Sequence, residues 1–114
     1  MISEPQIEQE TFDKLKEMVG IDFVGELLEA YFEEAPRLIA EMRRSLVGAD
    51  AQAFQRAAHT FKSNSASFGA VHLAGVAREL EAMGREERLQ EAEPVLAALE
   101  QEYAQVEQAL RGMI

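Results

Sequence analysis

The sequence predicts an all-α domain, and three observations carry that prediction. Apolar residues recur at intervals of three and four rather than two, which is the pattern of amphipathic helices. Glycine and proline are few. The length of 114 residues suits one domain, 1–114, with a single core.

The elements follow in order. Phe12, Leu15 and Val19 mark a short first helix, with Thr11 as its expected N-cap and Gly20 as its stop. It is too short to stand alone. Asp22 is the expected cap of a second helix, whose stripe reads Phe23, Leu27, Tyr31, Leu38, Met42 and Leu46 and passes Pro36, where a kink is expected. Asp50 caps a third helix bearing Phe54, Ala57, Ala58, Phe61, Ser65 and Phe68, and Gly69 supplies the left-handed residue that ends it. A fourth helix uses Leu73, Val76, Ala77, Leu80 and Met83 and gives out at Gly84, followed by a charged connection from Arg85 to Arg88. The last helix takes Pro94 in its first turn and runs through Val95, Leu99, Tyr103, Val106 and Leu110. Four such helices with short connections hide their stripes best as an antiparallel up-down-up-down four-helix bundle, with the short extra N-terminal helix over one end.

Composition narrows the function. A net charge of −10 argues against a nucleic-acid backbone or an anionic membrane as partner, so a protein partner is expected. The absence of cysteine excludes disulfides and thiolate chemistry. Met1 to Glu10 contains no apolar run of the secretory kind, and no eighteen apolar residues run together, so a cytoplasmic protein is the default expectation. With no extra heptad seam, a monomer is expected.

One position departs from a purely structural reading. On a wheel with Phe54 at zero, the third-helix residues Ala57, Ala58, Phe61, Ser65 and Phe68 fall within about 60° of the buried direction, while His59 lies at about 140°. His59 is therefore expected to face solvent, among Gln52, Gln55, Ser63 and Ala66. These neighbours are small or uncharged and leave room for a partner's surface. A solvated imidazole is largely neutral at pH 7 and offers a nitrogen lone pair for attack on phosphorus. Lys62, one turn on, can offset charge on phosphoryl oxygens.

The run Ala58-His59-Thr60-Phe61-Lys62-Ser63-Asn64-Ser65-Ala66-Ser67-Phe68-Gly69-Ala70 resembles the phosphorylation segment of the histidine-containing phosphotransfer family. The family pattern is His-x-Leu-Lys-Gly-Ser-Ser, with Gly-Ala four residues later. His59, Lys62, Ser65 and Gly69-Ala70 match in register, whereas Phe61, Ser63 and Asn64 replace leucine, glycine and serine. The short leading helix, the Pro-containing second helix, the Leu80-Glu81 stretch and the Glu-Tyr-rich last helix extend the likeness over nearly the whole chain. The resemblance implies a phosphorelay intermediate in which His59 takes a phosphoryl group from one receiver-domain aspartate and passes it to another. Partners would be response-regulator receiver domains and a hybrid sensor histidine kinase. The chain would be a stoichiometric carrier without kinase activity, binding no cofactor itself, with magnesium on the receiver. Glu81 matches a position from which a polar residue contacts the histidine; a carboxylate there orients the imidazole and also favours its protonated form. Ser63 adds a hydroxyl beside the histidine, suited to tuning docking or hydrogen-bonding the phosphoryl group. Docking is expected to centre on Gln52, Gln55, Arg56, Ser63 and Ala66.

Two other classes compete. A helical adaptor would bind a signalling partner through the same face with His59 idle. A metal or haem bundle would need inward ligands, but Arg56 and Gly69 stand three residues before the two histidines, so no Glu-x-x-His pair occurs. His72 reads as an ordinary surface or capping histidine, Glu8 to Glu10, Glu33-Glu34 and Glu86-Glu87 as solvated charge runs, and Tyr31 and Tyr103 as core residues with a polar tip.

Overall fold

The structure is a computed structural model and describes residues 7–114; the first part of the polar Met1 to Glu10 stretch lies outside the described residues. Five α-helices follow one another: α1 (Gln9–Val19), α2 (Ile21–Val47), α3 (Ala51–Ser67), α4 (Val71–Arg85) and α5 (Ala92–Arg111). A single 3₁₀ turn, Leu89–Glu91, joins α4 to α5. Among the described residues there is no strand, and the all-α expectation holds. Consecutive helices from α2 to α5 pack on one another, and α5 returns against α2, while α1 lies on α2 and α3. No helix among the described residues is long and apolar enough to cross a membrane.

Both ends of α3 follow local chemistry. The Asp50 carboxylate accepts from the Ala53 amide at 3.1 Å and so satisfies one of the free donors of the first turn. At the other end Gly69 takes φ of +83°, and the Ala70 amide folds back to the Ser65 carbonyl at 3.0 Å. The next helix starts at once. The Glu8 amide donates to the Gly69 carbonyl at 2.7 Å, which pins the start of α1 to the α3–α4 turn.

That tertiary bond corrects the expected start of α1. The helix begins at Gln9 with Glu8 as N-cap, and Thr11 lies within it, its hydroxyl donating to the Glu8 carboxylate. Asp22 is likewise no cap: Gly20 holds that place with φ of +89°, and Asp22 stands in the first turn of α2, where its charge favours the helix dipole. Helix α2 continues as one helix across Pro36, which is exposed. Of the expected stripe, Tyr31 and Met42 are buried and Leu27, Leu38 and Leu46 pack against the core, but Phe23 is not part of it, and Val24, Leu28, Phe32 and Ala35 are buried in addition. Phe23 is 48% exposed. Residues 23, 24, 27 and 28 are all apolar, so two adjacent faces compete, and contact with the neighbouring helices selects the one carrying Val24 and Leu28. Helix α4 runs one residue beyond Gly84.

The core gathers Phe12, Leu28, Met42, Phe54, Phe61, Leu73, Leu80, Leu96, Leu99 and Leu110, all fully buried. Truncating a buried phenylalanine of this kind to alanine typically costs about 3–5 kcal/mol. Within the core the Tyr31 hydroxyl and Ser65 Oγ share a hydrogen bond of 2.8 Å, which joins α2 to α3 and gives both buried polar groups a partner. Tyr31 also packs against Phe68 and Tyr103, with ring centroids 5.1 and 5.8 Å away. These contacts hold the buried side of α3 and leave its opposite side, with His59, facing out.

Candidate functional site

His59 is exposed on the side of α3 away from the core, its side chain 58% accessible, as the helical wheel requires. The core residues Phe54, Ala57, Ala58, Phe61 and Ser65 on the same helix are all buried, which fixes the rotation of α3 and with it the direction of His59. Glu81 approaches from α4 because Leu80 and Ala77 beside it are seated in the core. Its side chain is only 11% accessible.

Glu81 joins the two charged or chargeable residues of the motif. One carboxylate oxygen lies 2.8 Å from His59 Nδ1, and the other accepts from Lys62 Nζ at 2.6 Å. Burial raises the pKa of Glu81, but the hydrogen bonds and charges of Lys62 and His59 together outweigh it and hold the carboxyl below its ordinary value of 4.5. Glu81 is therefore ionised at neutral pH. An ionised carboxylate only accepts, so Nδ1 carries a proton, and in the neutral ring the lone pair is on Nε2. With Nδ1 engaged by Glu81 of α4, Nε2 is the ring nitrogen left without a partner among the described residues.

The docking residues expected from the sequence divide into two groups. Gln52, Gln55 and Arg56 line an open cleft of about 600 Å³ with His59, Thr60 and Glu81. Ser63 and Ala66 are exposed farther along α3 and do not line it. No hydrogen bond joins Ser63 to His59; the Ser63 carbonyl instead accepts from the Ser67 hydroxyl at 3.0 Å. Lys62 is half-buried and turned to Glu81. The sequence reading missed Thr60, whose hydroxyl donates to the Arg56 carbonyl at 3.2 Å, and Gly84. A Cβ on Gly84 would lie 2.9 Å from both the Cβ and the amide nitrogen of Gln55, so the glycine lets α4 approach α3 beside the cleft. Its sequence signal was a glycine inside a helical stripe, which also reads as a helix stop.

His72, near the start of α4, is exposed, with Nδ1 2.7 Å from Glu102. Among the described residues no three His, Asp or Glu side chains gather into a group able to hold a metal ion.

The Hpt domain family model matches residues 26–109 of the chain. The chain belongs to the Hpt domain family. A solved structure, histidine-containing phosphotransfer protein B (HptB) from Pseudomonas aeruginosa PAO1, is similar over 97% of this chain and 96% of that one, with 31% identity and a TM-score of 0.91. None of the curated proteins searched matches the chain. The function of this Hpt domain is therefore histidine phosphotransfer within a relay, and the adaptor reading is not favoured.

Proposed function

We propose that His59 is the phosphorylated residue, taking a phosphoryl group from the aspartate of one receiver domain and giving it to that of another. The observation that carries this is the His59–Glu81–Lys62 arrangement inside the motif, which engages Nδ1 of an exposed ring and leaves Nε2 without a partner among the described residues. His72 also meets a carboxylate, yet it lies outside the motif, and among the described residues no lysine or arginine pairs with Glu102.

The step balances without a base. The Nε2 lone pair attacks phosphorus, the bond from phosphorus to the aspartyl oxygen breaks, and the aspartate leaves as a carboxylate. The ring keeps its Nδ1 proton and becomes cationic, and the Glu81 carboxylate at 2.8 Å stabilises that charge. Reversal returns the phosphoryl group to a second aspartate. Glu81 thus orients the ring, and Ser63 shares the face over which the partner sits.

This is a stoichiometric carrier, and by this reading the acyl phosphate and magnesium arrive with the receiver. A hybrid sensor kinase fits as the upstream source. Incubation with a phosphorylated receiver should leave acid-labile, base-stable phosphate on the chain, absent in His59→Gln. Equal labelling of wild type and variant, or labelling of neither, would sink the reading.

A further inference from the structure

A phosphoryl group on His59 adds about two negative charges to an exposed helix face. The sequence assigns their neutralisation to Lys62. The structure commits that ammonium elsewhere: Lys62 Nζ sits 2.6 Å from a carboxylate that is nearly buried, and drawing it away would strip Glu81 of its cation.

Arg56 is placed differently. It precedes His59 by three residues, so it lies about 60° around α3 from His59, on the side opposite Lys62. Its side chain is exposed and has no ion-pair or hydrogen-bond partner among the described residues. It lines the cleft of about 600 Å³ together with His59, Thr60 and Glu81, whereas Lys62 does not. The two nitrogens of an imidazole point nearly opposite ways. Nδ1 is held by Glu81 on the α4 side, so Nε2 is the nitrogen directed away from α4, and by the helical wheel Arg56 lies on the flank of His59 opposite the α4-bonded Lys62.

We propose that the Arg56 guanidinium contacts the phosphoryl group on His59 Nε2, and that Lys62 is a positioning residue acting on the ring through Glu81. This rests on the reading that His59 is phosphorylated. A guanidinium suits the task because its fork of N–H donors matches two phosphoryl oxygens at once.

The test separates contact with the phosphoryl group from docking. The full chain is phosphorylated with phosphoramidate, a small donor that needs no docking surface, or with a phosphorylated receiver. The ³¹P resonance of the phosphohistidine is then followed against pH. Arg56→Gln should raise the protonation midpoint of the phosphoryl group by about half a pH unit, an effect reduced by salt. Arg56→Lys should recover part of it. Lys62→Gln should barely move that midpoint and should instead shift the ¹⁵N resonances of the His59 ring as Glu81 loosens. An unchanged midpoint in Arg56→Gln, or a larger shift in Lys62→Gln, overturns the assignment and leaves the phosphotransfer reading intact. No labelling of the folded wild-type chain by either donor overturns both.

Discussion

Gly84 of α4 packs against Gln55 of α3 so closely that an added Cβ would stand 2.9 Å from the Gln55 amide nitrogen. The neighbouring atom is backbone of a helix and cannot swing aside. Gly84→Ala must therefore push α3 and α4 apart, at a cost of about 1–3 kcal/mol, against which the better helix propensity of alanine returns at most about 1 kcal/mol. We expect a lower urea midpoint and disturbed amide resonances at Gln55 and His59. A variant as stable as wild type would show that the two helices can separate freely at this point.

Glu81 makes stability depend on pH in a defined direction. Its carboxyl titrates below 4.5 in the folded chain, so folding favours the ionised form. The stabilisation is complete above the unfolded value and is lost as pH falls through the lower folded value. Glu81→Gln removes the charge and keeps the shape. Wild type should exceed it by about 1 kcal/mol at pH 7, and the gap should close as pH falls through the lowered titration range of Glu81. Urea titrations of both proteins at several pH values give the gap directly, with the other carboxylates cancelling. A gap that is the same at pH 7 and pH 3 would mean that the His59–Glu81–Lys62 contacts add nothing to folding.

The helix α3 was legible because its sequence is unambiguous: phenylalanines at 54, 61 and 68 define one face, Asp50 caps it and Gly69 ends it, so the exposure of His59 follows. In helix α2 the extent and the burial of Tyr31 and Met42 were legible, but the buried face of its first turns was not, because apolar residues at 23 and 24, and at 27 and 28, offer two faces, and tertiary contact decides between them. The start of α1 was hidden for the same reason, since the Glu8–Gly69 bond that sets it joins residues far apart in the chain. At the site, Lys62 could be placed one turn from His59 by helix geometry, but its engagement with Glu81 depends on how α4 is rotated. Arg56 was legible as an exposed neighbour of His59, but the cleft it shares with Glu81 depends on how α4 packs.

Ala66 lies almost in line with His59 on the wheel, about 20° away, and about 10 Å farther along α3. It is exposed and lines no part of the His59 cleft. A protein partner of ordinary size covers roughly 800 Å² on each side, so a receiver seated over His59 reaches Ala66. Ala66→Arg should therefore slow transfer from a phosphorylated receiver about tenfold or more, while the thermal melt stays within the small range usual for surface changes. Phosphoramidate labelling of the same variant should be unchanged, because that donor needs no docking surface. Receiver transfer at the wild-type rate would take Ala66 off the docking face, and an equal slowing with phosphoramidate would place the effect in the chemistry at His59 instead.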